Sequence, residues 1–276
     1  MICRRSARFA ITAIVLAILI AEIVHYIADE PGRFREVYRG AVQTAYPEYS
    51  IEQSSYARID PISTEFSMVA FPYGSGRNDQ TPHNIFGEVS VNAMRRVHTP
   101  SLPDTNMTAL LRSFNGGNGT DEAAKAHAKN ALDDLSENAY ANAIIELTIP
   151  MGERQLTDSF GEFFEIRSDA VFLFLSSRAE GMKKPVYWRA CAVYAVDCKK
   201  LSSIELYRRW VSRIIWLDRI GFRQLGLNVD QLQRSAQEGR IYGLLTYGFP
   251  KPALLEILSH PEVRAIRIAR AWELDD

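Results

Sequence analysis

The side chains that most often carry catalysis or bind metals are sparse in this sequence and poorly spaced for either role. The five histidines are His25, His83, His98, His127 and His260. None stands in an H-E-x-x-H motif, and no two have the spacing that would place them on one helical face as metal ligands. His127 stands in an alanine-rich run beside Lys125 and Lys129, which is typical of a helix face in solvent. We therefore predict no metal site.

Carboxylates and nucleophiles form no catalytic motif either. Asp133 and Asp134 are adjacent, so on a helix their side chains point about 100° apart and do not share a proton. The sequence holds no nucleophile elbow, no C-x-x-C pair and no dinucleotide fingerprint. We predict no catalytic residue, no cofactor and no enzymatic activity. The alternative is a membrane-anchored extracytoplasmic enzyme, such as a cell-envelope hydrolase, whose catalytic residues are dispersed along the chain.

A glycine-rich stretch, residues 114–121, precedes an alanine-rich run that predicts a helix capped by Thr120 or Asp121. A loop of this kind can bind phosphate at the start of a helix. This one lacks the Lys-Ser/Thr pair of a P-loop, and no strong strand precedes it. A plain flexible connection is the favoured interpretation, with nucleotide binding as the alternative.

Three cysteines, Cys3, Cys191 and Cys198, are too few for a disulfide framework. Residues 186–196 have the pattern of a strand, and seven extended residues would separate Cys191 from Cys198 by roughly 20 Å. That distance is beyond bridging reach. We predict that the two are not bridged and that Cys191 is a small core residue. A bridge would require the chain to turn between them.

The apolar run at residues 9–28 determines where the rest of the chain lies. About 20 residues at 1.5 Å each span the roughly 30 Å core of a bilayer, and a single segment crosses there only as a helix. Arg4, Arg5 and Arg8 precede the run, whereas the charges that follow it nearly cancel. The positive-inside rule then predicts a cytoplasmic tail (residues 1–8), a transmembrane helix in the lipid bilayer (residues 9–28) and an extracytoplasmic remainder at the cell membrane.

A cleaved secretory signal is the alternative for the same run. Such a signal needs small residues at the cleavage site. Cleavage after Ala28 would place Tyr26 at position −3, and cleavage after Ala21 would place Leu19 there. Both side chains are bulky, so we favour an uncleaved anchor.

The composition is that of a folded domain and argues against one class of partner. The chain has 47% hydrophobic and 24% charged residues, which is typical of globular proteins. Its net charge of −1 shows no excess of the basic residues that bind nucleic acid. We therefore expect no nucleic-acid partner. After the anchor we predict a short helical stalk (residues 29–50), an N-terminal part of the ectodomain (51–128) and a C-terminal region (129–276).

Strand-length apolar runs alternate with helical patterns through the C-terminal region. Strands are predicted at residues 141–149, 170–175, 186–196, 241–247 and 263–272, and helices at 153–164, 203–220, 229–237 and 251–259. This order predicts an α+β fold in which helices cover a mixed or antiparallel sheet. In the last strand–helix–strand unit, we expect Leu255 to be buried and Arg264, Arg267 and Arg270 to reach solvent.

Two parts of the C-terminal region carry a family resemblance. The sequence YGLLTYG (242–248) is followed by a leucine-rich helix and then by PEVRAIRIA (261–269). Upstream, AIIE (143–146) leads into Pro150 and LTD (156–158). Residues 130–274 thereby resemble the sigma factor regulator C-terminal family, whose members close with a strand ending in glycine, a leucine-rich helix and a strand that mixes aliphatic residues with arginine.

The resemblance implies the extracytoplasmic part of a single-pass bacterial protein linked to an extracytoplasmic-function sigma factor. In that family a cytoplasmic segment ahead of the anchor docks the sigma factor, whereas here only residues 1–8 precede the anchor. The chain would then keep the sensory or structural half and rely on a protein partner in the membrane or envelope. We expect a membrane-anchored extracytoplasmic sensing or interaction domain without catalysis.

Overall fold

The computed structural model describes residues 14–20, 31–60, 63–72, 84–92, 94–161, 172–176, 185–194, 197 and 200–273. Within these ranges the fold is α+β, as predicted, and the strands form two antiparallel sheets. The strands are β1 (Tyr49–Asp60), β2 (Ser63–Pro72), β3 (Ile85–Asn92), β4 (Val97–His98), β5 (Ala139–Met151), β6 (Phe172–Phe174), β7 (Tyr187–Trp188), β8 (Ile241–Pro250) and β9 (Val263–Glu273).

The described helices lie before and between these strands. They are α1 (residues 14–20), α2 (Pro31–Ala45), α3 (Asn106–Arg112), α4 (Glu122–Asp133), α5 (Glu153–Phe160), α6 (Ala190–Val193), α7 (Ser203–Ser212), α8 (Arg219–Gln224), α9 (Val229–Glu238) and α10 (Lys251–Ser259), with a 3₁₀ turn at Trp216–Asp218 before α8. The cap predicted for α4 is present, since the Asp121 carboxylate accepts a hydrogen bond from the Ala124 N–H at 2.9 Å.

The first sheet is a four-stranded meander in the order β1-β2-β3-β4. Strand β2 shows the two-residue period of a half-buried strand. Its buried side chains include Phe66, Met68 and Ala70, while Ser67 between them is exposed. One face of this sheet therefore packs on the core and the other faces outward.

The second sheet has the order β7-β6-β8-β5-β9. Strand β5 pairs antiparallel with both β8 and β9, so the last strand–helix–strand unit has its two strands in one sheet, as predicted. Helices α4 and α10 pack against β9 on one side. A separate apolar cluster involving α3, Phe114 and the sheet residues Ile144, Phe174 and Leu245 forms a second packed layer. Strand β5 is consequently buried along most of its length.

Helix α2 lies in the segment for which we predicted a stalk, and it packs inside the folded domain. Phe34, Val37 and Tyr38 have no exposed surface, and α2 contacts β1, β7, α6 and α7. The Trp210 indole of α7 donates a hydrogen bond to the Val37 carbonyl at 3.1 Å. A Cβ at Gly40 would come within 2.2 Å of the Trp210 ring nitrogen, so this close approach requires glycine.

The strand predicted at residues 186–196 is wrong beyond its first part. Strand β7 ends at Trp188, and α6 begins two residues later. Because α6 replaces an extended chain, the separation of roughly 20 Å that excluded a bridge no longer applies. Cys191 is disulfide-bonded, which overturns its prediction as an unbridged core thiol. The sequence offers Cys3 and Cys198 as partners, and both lie outside the described residues.

In the β8–α10–β9 unit, the burial predicted from the sequence is wrong at Leu255 and at Arg264. Leu244 and Ile266 are buried as expected, but Leu255 is only partly buried, whereas Leu254 and Leu258 are buried. Arg264 is 8% exposed and does not reach solvent along β9, because the Gly119 carbonyl and the Asp121 carboxylate accept its hydrogen bonds.

Of the predicted anchor, the described residues include only 14–20, and the rest lies outside them. Residues 14–20 are helical and exposed. Within the described ranges no helix combines the length and the hydropathy needed to cross a bilayer.

We predict that the buried side of α10 contributes more to the stability of the domain than its partly buried side does. Replacing Leu254 with Ala should lower the free energy of unfolding by about 2–5 kcal/mol, since Leu254 has no exposed surface. Leu255→Ala, the matched control on the partly buried side, should cost about 1 kcal/mol. Urea denaturation of both variants measures the difference, and a larger loss for Leu255→Ala would contradict the observed orientation of the helix.

Candidate interaction surface

The outward face of the first sheet exposes a row of side chains that lie side by side on three strands. Glu52 of β1 pairs with Val69 of β2, which pairs in turn with Phe86 of β3. Glu52 and Phe86 are exposed, and Val69 is partly exposed. Directly opposed residues in an antiparallel pair lie about 4.5–5.5 Å apart, so these three side chains form one continuous strip.

A groove of about 560 Å³ follows this strip. Its lining includes Glu52, Ser67, Val69, Phe86, Gly87 and Glu88. Ser67 pairs with Glu88 in the next row, so a second carboxylate lies beside the apolar strip. The groove thus combines an apolar floor with carboxylates at both sides.

Phe86 is the most unusual feature of the groove, because 73% of its surface is exposed. Aromatic rings that remain exposed beside polar neighbours are typical of residues that anchor protein interfaces. In the sequence, Phe86 shares its stripe with Glu88 and Ser90, opposite Val89 and Val91. That stripe was the available signal for an outward aromatic residue. The exposed surface of Phe86 in the structure shows in addition that no described segment covers its ring.

The residues considered for chemistry are dispersed. His25 and His83 lie outside the described residues, and His98 and His127 are exposed on β4 and α4. His260 stands beside the Glu262 carboxylate and the Phe160 ring, at the surface. Asp133 binds Lys129 at 2.8 Å on the exposed side of α4. No group of three His, Cys, Asp or Glu in the described part of the chain could bind a metal ion.

The glycine-rich stretch is fixed to the second sheet, and its N–H groups are directed at that sheet. Gly117 and Gly119 donate hydrogen bonds to the carbonyls of Leu147 and Thr148, each at 2.8 Å. Both glycines have positive φ, which glycine adopts at low cost. The interpretation as a plain flexible connection is therefore wrong, and these N–H groups are occupied, so they do not form a phosphate cradle.

A buried carboxylate binds this loop to two arginines of β9. Glu146 has no exposed surface, and its Oε1 accepts hydrogen bonds from Arg267 Nε at 2.7 Å and from the Asn115 N–H at 3.1 Å. Arg264 Nε lies 3.6 Å from the other carboxylate oxygen. Arg264 also binds the carbonyl of Gly119 and the carboxylate of Asp121. This network is structural, because its groups bind one another and none lines the groove.

A second buried carboxylate, Asp218, joins α2 to the 3₁₀ turn. It binds Arg33 at 2.8 Å and accepts hydrogen bonds from the Tyr38 hydroxyl and the Ile215 N–H. Arg95, in the β3–β4 connection, lies 3.9 Å away. Burial of an ionised carboxylate is tolerated when it has this many charged and hydrogen-bonding partners. Asp218 therefore fixes the first turn of α2 to the domain.

Comparisons of the chain with family models, with curated proteins and with solved structures find no match. The functional interpretation accordingly depends on the geometry and on the sequence patterns.

We predict that Arg267 contributes more to stability than a surface cation. Replacing Arg267 with Ala removes a charged hydrogen bond to a fully buried carboxylate and should cost about 1.5–3 kcal/mol. Lys129→Ala removes a cation from an exposed pair and should cost about 0.5 kcal/mol or less. Urea denaturation at low salt compares the two variants. Equal losses would show that Glu146 does not depend on Arg267.

Proposed function

We propose that this chain is a single-pass membrane protein whose extracytoplasmic domain binds a protein partner and performs no catalysis. Residues 9–28 form the anchor, residues 1–8 face the cytoplasm, and the groove on the first sheet is the binding surface. The observation that carries this proposal is α1. Its six large side chains are all apolar and are 48–59% exposed, which is unfavourable in water and favourable in lipid.

Two exposed apolar side chains near the start of α2 support a membrane surface close to this end of the domain. Trp216 is 75% exposed and Ile220 is 52% exposed. They are four positions apart in consecutive helical turns, so they share one side. Asp218 lies between them and binds Arg33 in the first turn of α2. Trp is enriched where proteins meet the membrane interface, and α2 begins three residues after the anchor.

The disulfide at Cys191 supports the extracytoplasmic placement of the domain. Disulfides persist in oxidising compartments and are rare in the cytosol, where thiols are kept reduced. The proposed topology leaves Cys3 on the cytoplasmic side, so Cys198 is the partner that the topology predicts.

A role in a sigma factor regulatory system belongs to the same proposal. It rests on the resemblance of residues 130–274 to the sigma factor regulator C-terminal family. We propose that the partner is a membrane or envelope protein that contacts the groove and connects it to the cytoplasmic machinery.

The topology predicts the behaviour of fused reporters. A reporter that is active only in the cytoplasm, fused after Asp276, should be silent, and one that is active only outside should work. Replacing Arg4, Arg5 and Arg8 with Glu should weaken this orientation, because the positive-inside signal is removed. Strong activity of the cytoplasmic reporter in the unmodified chain would contradict the proposal.

The same topology predicts one disulfide pairing. Peptide mapping of the unreduced protein by mass spectrometry should find Cys191 linked to Cys198. A link between Cys191 and Cys3 would join two sides of the membrane in the proposed topology and would therefore refute it.

The groove predicts which substitutions remove the partner. The full chain, purified from detergent-solubilised membranes, should lose its partner when Phe86→Ala is combined with Glu88→Lys. Glu122→Lys, on the exposed side of α4, makes the same charge change away from the groove and should keep the partner. Quantitative mass spectrometry of the co-purified proteins shows whether a sigma factor or its regulator is among them. Identical protein sets from both variants would exclude the groove.

A further inference from the structure

Helix α2 carries two arginines at the boundary between the two sheets. Arg35 and Arg39 are four positions apart and therefore lie one turn from each other on the same side of the helix. The helix packs against β1, an edge strand of the first sheet, and β7, an edge strand of the second. Arg189 directly follows β7, and its Nη1 donates a hydrogen bond to Ser50 Oγ of β1 at 3.4 Å.

Arg39 is half-buried, and it differs from Arg33 and Arg264 in what surrounds it. Its Nε atom is buried and has no hydrogen-bond acceptor. Among the described residues, none forms a hydrogen bond or an ion pair with the Arg39 side chain. Arg33 on the same helix binds Asp218, and Arg264 binds Asp121. Arg39 is therefore a half-buried cation that lacks the counter-charge that Arg33 and Arg264 have.

The surroundings of Arg39 make this lack of a counter-charge costly. Burial first, and then the positive charges of Arg35 and Arg189, lower the pKa of the Arg39 guanidinium. An arginine nevertheless stays protonated in proteins. A buried polar group without a partner calls for an explanation, and an ion that binds there from solution is one. The positive charges of Arg35 and Arg189 beside the partly accessible Arg39 guanidinium favour an anion at this position.

We infer that Arg35, Arg39 and Arg189 form a binding site for a phosphate group, with the Ser50 hydroxyl as a further hydrogen-bond donor. Guanidinium groups bind phosphate through paired hydrogen bonds, and a doubly charged anion balances more of the positive charge than a single carboxylate does. The arginines extend from elements that pack on both sheets, so the phosphate group binds across their boundary. This site is separate from the groove, and only its lipid source rests on the proposed membrane anchor.

A phosphate group reaches this site from one of two sources. One is a soluble phosphate or phosphate ester. The other is the headgroup of an anionic phospholipid, because α2 begins three residues after the apolar run at residues 9–28. The chemistry at the arginines is the same for both, so experiments must separate the sources.

The first test measures phosphate binding to the full chain in a non-ionic detergent. Inorganic phosphate should raise the melting temperature more than chloride at the same ionic strength, because a ligand that binds the native state stabilises it. Arg39→Gln should weaken phosphate binding at least about tenfold, the effect of losing one charge-assisted hydrogen bond. Arg154→Gln, at an exposed position of α5, makes the same change of charge and should bind within about twofold of the unmodified chain.

A second measurement keeps the result decisive if the variant folds less well. Without phosphate, Arg39→Gln should melt at the same temperature as the unmodified chain or higher, because an uncompensated charge is removed. A lower melting temperature would show that Arg39 has a partner within the protein and would overturn the site. The site is also overturned if phosphate and chloride act alike, or if Arg39→Gln and Arg154→Gln bind phosphate equally.

Nanodiscs distinguish the two sources of the phosphate group. If soluble phosphate is the ligand, it should stabilise the full chain equally in zwitterionic and in anionic nanodiscs. If a lipid headgroup is the ligand, phosphate should stabilise the chain in zwitterionic nanodiscs and add nothing in anionic ones, where the site is filled. Both results require the effect to disappear in Arg39→Gln, and an effect that survives in this variant contradicts the site.

Discussion

The close approach of α2 to α7 at Gly40 is the contact on which the arrangement of the domain depends. The Trp210 ring occupies the space that any larger side chain at position 40 would need, and its indole N–H binds the backbone of α2 one turn earlier. Trp210 also stacks with Trp188 at the end of β7 and with Phe222 of α8. Helix α2 thereby connects β1 of the first sheet with β7 of the second and with the helices behind it. Protein interiors are close-packed, so this geometry leaves little freedom for α2.

Two arginines of the same helix differ in whether a carboxylate neutralises their charge. Near its start, Arg33 and Asp218 neutralise each other, and the Tyr38 hydroxyl and a backbone N–H complete the hydrogen bonds of the carboxylate. One carboxylate oxygen of Glu146 in the second sheet accepts hydrogen bonds in a similar way from Arg267 and from the Asn115 N–H. These two networks pair each buried carboxylate with an arginine and stabilise the fold. Arg39, on the same helix as Arg33, has positive neighbours and no counter-charge in the described chain, and this contrast separates a binding site from a structural ion pair.

Local patterns in the sequence predicted the second sheet well, and they failed where tertiary contacts decide. Strand β5, helix α4 with its Asp121 cap, and the β8–α10–β9 unit follow from apolar periodicity and capping. The alternating apolar pattern of residues 186–196 suggested a longer strand than β7, because a short helix with small apolar residues has no distinct local signal. The burial of Arg264 could not be predicted either, since its partners come from a loop 145 positions earlier in the chain. The groove and the arginine cluster each combine residues from separate elements, and one sequence does not show such pairings.

The central claim is that residues 9–28 anchor the chain and display the domain outside the cytoplasm. The apolar surface of α1, the exposed Trp216 and the disulfide at Cys191 all support it. Protease protection tests it most directly. Protease added to intact spheroplasts should digest the domain and leave only a membrane-bound fragment that contains the anchor, whereas inside-out vesicles should protect the domain completely. Protection in spheroplasts together with digestion in inside-out vesicles, or recovery of the whole chain in the soluble fraction, would contradict the account.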